Sequence, residues 1–210
     1  MPSAVQATPR YEFDLSGGVA CLDFANPVSG RKIPERAVDH LGSYDDFVVF
    51  AQQSGILSSE QGEELRALAR RKHRLADAAL RRALAYRENV YRAFSALAQG
   101  KPPEYGDVQQ VNDCALEALS HRQIEPADGH YRWEWQWNDK NALNRILWPI
   151  AQSAADLLTS PEGQAVRMCE APECAWLFRD QSRNRSRRWC DMKVCGNRQK
   201  ARRHYQRTHR

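Results

Sequence analysis

Four cysteines near the C-terminus carry the strongest chemical signal in the chain: Cys169, Cys174, Cys190 and Cys195. They form two C-x4-C pairs with fifteen residues between them. Zinc(II) favours tetrahedral thiolate coordination, and structural sites usually draw their ligands as two close pairs that a hairpin brings together. Four sulfurs leave no open position, so one zinc ion held there is structural rather than catalytic. Two disulfides and an iron–sulfur cluster are the alternatives. The first belongs to oxidising compartments, and the second more often shows closer, uneven spacing. Zinc is the favoured reading, because a module of about 45 residues with few aliphatics draws most of its folding free energy from the metal.

Charge collects around the same residues. The segment 167–210 holds 13 Lys/Arg against 4 Asp/Glu, a net of +9, whereas the other 166 residues carry a net of −4. A polyanion-binding end on a near-neutral body is the implied arrangement. Arg183, Arg185, Arg187 and Arg188 lead into Cys190. Asn197, Arg198, Lys200, Arg202, Arg203, Arg207 and Arg210 follow Cys195 in a run that reads as a helix. Ala201, Tyr205 and Thr208 fall on one narrow face of it, expected to lie against the zinc site. The remaining faces stay exposed to grip phosphates, with arginine also able to read guanine edges. His204 and His209 fall in the same run and suit phosphate or solvent better than a metal that four thiolates already satisfy.

The rest of the chain must position this end. No window nears the roughly 18 apolar residues of a membrane helix. The opening MPSAVQATPRYEFD lacks a secretory pattern. A cytoplasmic protein with no membrane partner is expected. The runs YEFDL and VACLDFAN around Ser16-Gly17-Gly18 read as a β-hairpin, with Cys21 a small buried hydrophobe. Residues 26–42 read as loop. Ser43 with Asp46, and Ser58 with Gln61, predict two capped helix starts, and Gly55 suits the end of the first helix. The stretch to Gln99 predicts two helices broken near Lys72–Leu75. Their inner positions are Leu65, Leu68, Leu75, Ala79, Leu84, Val90, Tyr91, Phe94 and Leu97, and their arginines face outward.

Another helix is predicted over Tyr105–Ser120, burying Val108, Val111, Cys114, Ala115 and Leu119. A turn at 127–129 leads into HYRWEWQW, where Tyr131, Trp133, Trp135 and Trp137 alternate with polar residues. This strand has one aromatic face. Such a face either packs on helices or lines a pocket for a planar or apolar small-molecule effector. A helix over Asp139–Leu158, kinked at Pro149, completes the body. Composition changes near residue 162. The expected fold is α+β: a mixed domain of several helices with β-hairpins over 1–162, then a small four-cysteine, treble-clef-like zinc finger over 163–210.

The run RRWCDMKVCGNRQKARRHY resembles the signature of the bacterial CGNR zinc-finger proteins, named for the residues standing here as Cys195-Gly196-Asn197-Arg198. CEAPECAWLFRDQSRNRSRRWC is similar to the first half of that finger. LSGGVACLDFAN, YDDFVVFAQQSGIL and LLTSPEGQAVRMC resemble the ABATE domain that precedes it. The resemblance implies zinc on Cys169, Cys174, Cys190 and Cys195, a DNA-binding finger, and a stress-linked transcription regulator whose N-terminal domain senses a ligand.

No enzyme is expected. The six histidines are scattered without a catalytic partner in sequence, and no phosphate-binding glycine loop is present. A DNA-binding regulator is the favoured function. A zinc protein of RNA or the ribosome is an alternative, and so is a module for an acidic protein partner. A single finger contacts few base pairs, so a homodimer is expected for useful specificity.

Overall fold

The computed structural model describes residues 11–138 and 140–208. Residues 1–10, Asp139, His209 and Arg210 lie outside the described residues, and with them the first part of the leader reading and the end of the basic run. The chain builds seven helices and three two-stranded antiparallel sheets among the described residues. No helix there is long and apolar enough to cross a membrane.

The run VACLDFAN departs from the expected hairpin. Ala20–Ala25 form a short helix, α1, with Cys21, Leu22, Phe24 and Ala25 all buried. A short apolar run buried on every side has no period that separates strand from helix, so its surroundings decide. Here the buried Asp23 carboxylate accepts the Gly17 N–H at 2.8 Å and closes the glycine turn onto the helix. Any Cβ at Gly17 would stand 2.8 Å from Asp23 N, so the turn requires glycine. Burial pushes the Cys21 thiol up to about 12, as suits an inert core residue. Residues 26–42 contain a small pair, β1 (Val28–Ser29) and β2 (Val38–Asp39).

The capping expectations hold in detail. Ser43 and Asp46 form a reciprocal box at the start of α2 (Tyr44–Gln53), and Ser58 and Gln61 form another on α3 (Ser59–Arg71). Each satisfies amide donors that the first helical turn leaves unpaired. Gly55 takes the left-handed φ of +75° just past α2. The chain breaks at Lys72 before α4 (His73–Ala98), whose buried face runs Ala76, Ala79, Leu80, Ala83, Tyr86, Val90 and Phe94. Leu75 lies outside that face and is exposed.

Not all the arginines face outward. Arg66 and Arg87 are buried. Arg87 donates to both Asp39 oxygens at 2.8 and 2.7 Å and to Glu88 at 2.9 Å. Glu88 also receives Arg31 at 2.8 and 3.0 Å. Burial alone would raise the Asp39 carboxyl, but the Arg87 guanidinium and its hydrogen bonds hold it below the usual carboxylate range. Desolvating a charge is tolerated only with such pairing. The network fastens the 28–40 segment to α4.

Helix α5 (Tyr105–Ser120) buries Val111, Cys114, Ala115 and Ala118, while Leu119 is exposed. A hairpin follows: β3 (Arg122–Ala127) pairs with β4 (His130–Trp135) across Asp128-Gly129. The expected long helix starts only at Leu147, as α6 (Leu147–Thr159). Pro149 therefore falls in its first turn, where a missing N–H costs nothing, and not at a kink. Residues 142–144 form a 3-10 turn ahead of it. Beyond α6, β5 (Val166–Met168) pairs with β6 (Leu177–Arg179). Val166 and Leu177 are buried in the same hydrophobic core as α1, α2, α4 and α6.

Burial raises the Asp23 carboxyl to about 6, against the lowering effect of the Gly17 and Gly18 amides. A folded-state pKa above the unfolded value gives stability that is present at low pH and lost as pH rises through it. Between pH 4 and pH 6.5 the native chain is expected to lose about 2 kcal/mol relative to Asp23→Asn. Asparagine keeps an oxygen acceptor for Gly17. Urea denaturation of both proteins at the two pH values measures the difference, from which acid effects on the thiols cancel.

Candidate metal centre and basic helix

Two knuckles bring the cysteines together. The first runs from Cys169, just past β5, to Cys174. Cys169 N–H donates to Trp176 O at 2.8 Å, closing the turn. Ala175 holds a φ of +68°, a conformation unusual for a residue with a Cβ. The Trp176 N–H approaches Cys174 Sγ at 3.5 Å, and Ala175 O accepts Tyr91 Oη–H at 3.1 Å. The second knuckle holds Cys190 and Cys195. Asp191 caps it through the Val194 N–H at 2.7 Å, and Gly196 N–H returns to Asp191 O at 3.0 Å. At Gly196 an added Cβ would press on Met192 Sδ at 3.0 Å and Trp189 Cδ1 at 3.2 Å. The glycine of Cys-Gly-Asn-Arg keeps that approach close without displacing either side chain.

The four Sγ atoms lie within 4.8 Å of one another. Cys174 and Cys190 are 3.7 Å apart, and Cys190 and Cys195 3.6 Å. Thiolates about 2.3 Å from one tetrahedral zinc stand about 3.8 Å apart, whereas a disulfide needs about 2.05 Å. The spacing therefore fits zinc, and all six cysteines are free. The thiols divide between themselves: S–H groups of Cys174, Cys190 and Cys195 hold the Cys169 thiol far down, and the same crowding pushes Cys190 far up. A divalent cation lets all four ionise together. The chain thus holds a site for one structural zinc ion. Apart from the ligands, the knuckle core comprises, among the described residues, only Ala171, Phe178, Trp176 and Trp189.

The basic residues take two kinds of place. Arg187 is half-buried: its guanidinium lies over Phe178 at 4.7 Å, donates to Trp189 O at 2.8 Å and also reaches Cys190 O. Arg188 pairs with Glu170. These two brace the knuckle. Arg183 and Arg185 are exposed on the preceding loop. Helix α7 (Asn197–Thr208) leads straight out of the second knuckle, carrying Arg198, Lys200, Arg202, Arg203 and Arg207, all of them exposed. The expected inner face does not form. Ala201, Tyr205 and Thr208 are exposed too, because the helix stands clear of the zinc site instead of lying along it.

The aromatic strand is split. Trp135 is half-buried and tilts toward Trp148, with ring centroids 6.2 Å apart. It lines a groove of about 570 Å³ with Arg122 and Gln152. Tyr131 and Trp133 stand in solvent, 74% and 55% exposed, and Trp137 is exposed under Arg145 at 4.1 Å. The structure does not gather these four rings around one cavity.

Sequence reasoning missed the dock beneath the knuckles. Asn26, buried, accepts the Leu177 N–H and donates to the Leu177 carbonyl, each at 2.9 Å. Arg179 N–H donates to Gly17 O at 2.9 Å, and Trp176 Nε1–H to Val28 O at 2.9 Å. Lys32 Nζ reaches the carbonyls of Cys169 and Ala171 at 3.0 and 3.1 Å. The only local signal was a polar Asn26 closing an apolar run before Pro27.

Fold and site together define a zinc-finger protein: an α+β body with a four-cysteine knuckle that presents a basic helix. Comparison with known families matches residues 18–161 to ABATE, described as "Putative stress-induced transcription regulator". Residues 165–208 match the CGNR zinc finger. The chain belongs to the ABATE family and carries a CGNR zinc finger behind that domain. Both are regulator or zinc-finger families, not enzyme families. A search of curated proteins finds no match.

Purified chain is expected to carry one zinc, released on titrating its thiols and absent from Cys190→Ser. On chelation, amides from Cys190 to Thr208 should lose hydrogen-exchange protection while α2 to α6 keep theirs. Retained protection without metal would remove zinc from the account.

Proposed function

We propose that the chain is a cytoplasmic, DNA-binding transcription regulator in which the zinc knuckle presents α7 to the duplex. The observation carrying this reading is the row of cations along α7, on a helix that leaves a rigid knuckle and buries none of its residues. Twelve residues make a rod about 18 Å long, and an α-helix fits the major groove. Arg198 and Arg202 lie on adjacent turns, where guanidinium groups can pair with guanine O6 and N7. Arg203 and Arg207 then serve phosphates, joined from the loop by Arg183 and Arg185. Asn197, at the first turn, adds an amide for a base edge or phosphate. Small-molecule control by the N-terminal domain is part of the same reading.

One α7 spans only a few base pairs. Two copies are proposed to act together on half-sites. The exposed Ile124, Tyr131 and Trp133 of the β3–β4 hairpin supply apolar surface for that association.

Selection of random duplex DNA on the zinc-loaded protein at near-physiological salt tests the reading. An enriched motif is expected, lost in Arg198→Glu/Arg202→Glu, with affinity falling by a log–log salt slope of about 0.9 per phosphate contacted. Retention without enrichment, or preference for RNA in competition, would sink it. Sedimentation should show a dimer at micromolar concentration in the presence of the selected site, and a monomer there would refute the paired arrangement.

A further inference from the structure

The groove of about 570 Å³ lies where the β3–β4 hairpin, α6 and the start of α1 meet. Its size falls within the ordinary range for small-molecule sites, roughly 300–1,000 Å³. None of the four zinc ligands lines it. Its apolar wall is made by Val19, Trp135, Pro149 and Leu157. Arg122 stands opposite Trp135 in the hairpin register. The Arg122 guanidinium lies over the Trp133 and Trp135 rings, 5.2 and 5.0 Å from their centroids. Two indoles thus position one cation at the rim of the groove.

Four charged side chains line the groove, two of each sign. Arg179 and Glu162 pair with each other. The other two, Arg122 and Asp156, form no ion pair among the described residues, with each other or with any third group. Asp156 only accepts the Gln152 Nε2–H, at 2.7 Å. The carboxylates of the hairpin itself are engaged elsewhere, Glu125 with Gln136 and Glu134 with Arg132. Two polar atoms on the same wall, Arg122 Nε and Gln152 Oε1, are buried without a hydrogen-bond partner. One is a donor and the other an acceptor, and buried groups left unpaired are rare and costly. An unmatched cation and donor, an unmatched anion and acceptor, and an apolar wall between them select a ligand that carries both charges on an apolar body.

We propose that this groove binds a free α-amino acid with an apolar side chain. Its carboxylate lies on the Arg122 guanidinium, its ammonium on Asp156 and the Gln152 amide oxygen, and its side chain against Trp135, Pro149 and Leu157. The groove would be the seat of the small-molecule control proposed above, and in that role it rests on that reading. Through Arg179 it touches β6, and the next residue, Asp180, accepts the N–H groups of Ser182 and Arg187 at 2.9 Å each. Those bonds shape the loop that carries Arg183 and Arg185. Any effect of the amino acid on polyanion affinity is matched by an equal effect in return. Binding of the amino acid itself does not depend on the nucleic-acid reading.

The test is calorimetric titration of the zinc-loaded full chain with L-leucine, L-phenylalanine and L-tryptophan, in the absence of nucleic acid. The matching amides lack the carboxylate, and the matching deaminated acids lack the ammonium. At least one amino acid is expected to bind with a Kd below about 1 mM, and its amide and deaminated acid at least roughly tenfold more weakly. Arg122→Gln and Asp156→Asn, each checked for one bound zinc, should each weaken that amino acid about tenfold. Asp156 is exposed, so its variant reports on the groove without disturbing the core. Arg122→Gln should leave the affinity of the amide unchanged, which a merely loosened hairpin would not. The proposal is overturned if none of the three amino acids binds below about 1 mM, if the amide or the deaminated acid binds as tightly, or if Asp156→Asn leaves the affinity unchanged. Binding that depends on both residues, in a protein that retains no DNA or retains it regardless of the amino acid, would uphold the groove and refute the control alone.

Discussion

Four sulfur atoms held within 4.8 Å of one another are the constraint on which the C-terminal end depends. Thiolates at that separation repel strongly unless a cation sits between them. The module offers little else to keep them there. Its apolar core is a handful of residues, its strands are three residues each, and its loop is dense in arginine. Arg187 shows how far the surrounding chain serves the cage, since its guanidinium covers Phe178 and ties the carbonyls beside Cys190. A basic loop thus contributes structure on its inner side and positive charge on its outer side.

The knuckle is also welded to the body, which changes what the basic helix can do. Asn26 substitutes for a missing strand neighbour by taking both backbone groups of Leu177, and Val166 and Leu177 lie in the main core. The segment that supplies Asn26, Val28 and Lys32 is itself held to α4 by the buried Arg87 with Asp39, and by Glu88 with Arg31. Breaking a buried pair of this kind leaves an uncompensated charge, so such networks favour one arrangement over its neighbours. The knuckle from which α7 leaves is therefore joined to the body by packing and hydrogen bonds rather than by a loose tether.

How much was legible in the sequence differs from element to element for physical reasons. Capping boxes are local chemistry: Ser43 with Asp46 and Ser58 with Gln61 satisfy donors three residues away, so sequence spacing and structure agree. The zinc ligands were readable for a similar reason, since metal chemistry dictates residue type and pairing before any fold exists. Periodicity failed where burial is complete or absent. VACLDFA is buried almost all round and became helix α1. Ala201, Tyr205 and Thr208 share one helical face by their spacing, yet all three are exposed. Leu75 and Leu119 had helical spacing and still lay outside the packed faces.

By itself, the sequence determined the metal, the charge asymmetry, the capped starts of α2 and α3 and the two-part order of the chain. Each rests on groups close together along the backbone or on the chemistry of a residue type. Only the tertiary structure decided that Arg66 and Arg87 are buried, that Asn26 clasps Leu177, and that Tyr11, His40 and Arg198 surround one cavity. Those pairings join residues from 14 to 187 positions apart, and a one-dimensional pattern carries no record of which distant side chains will share a wall once the core has closed.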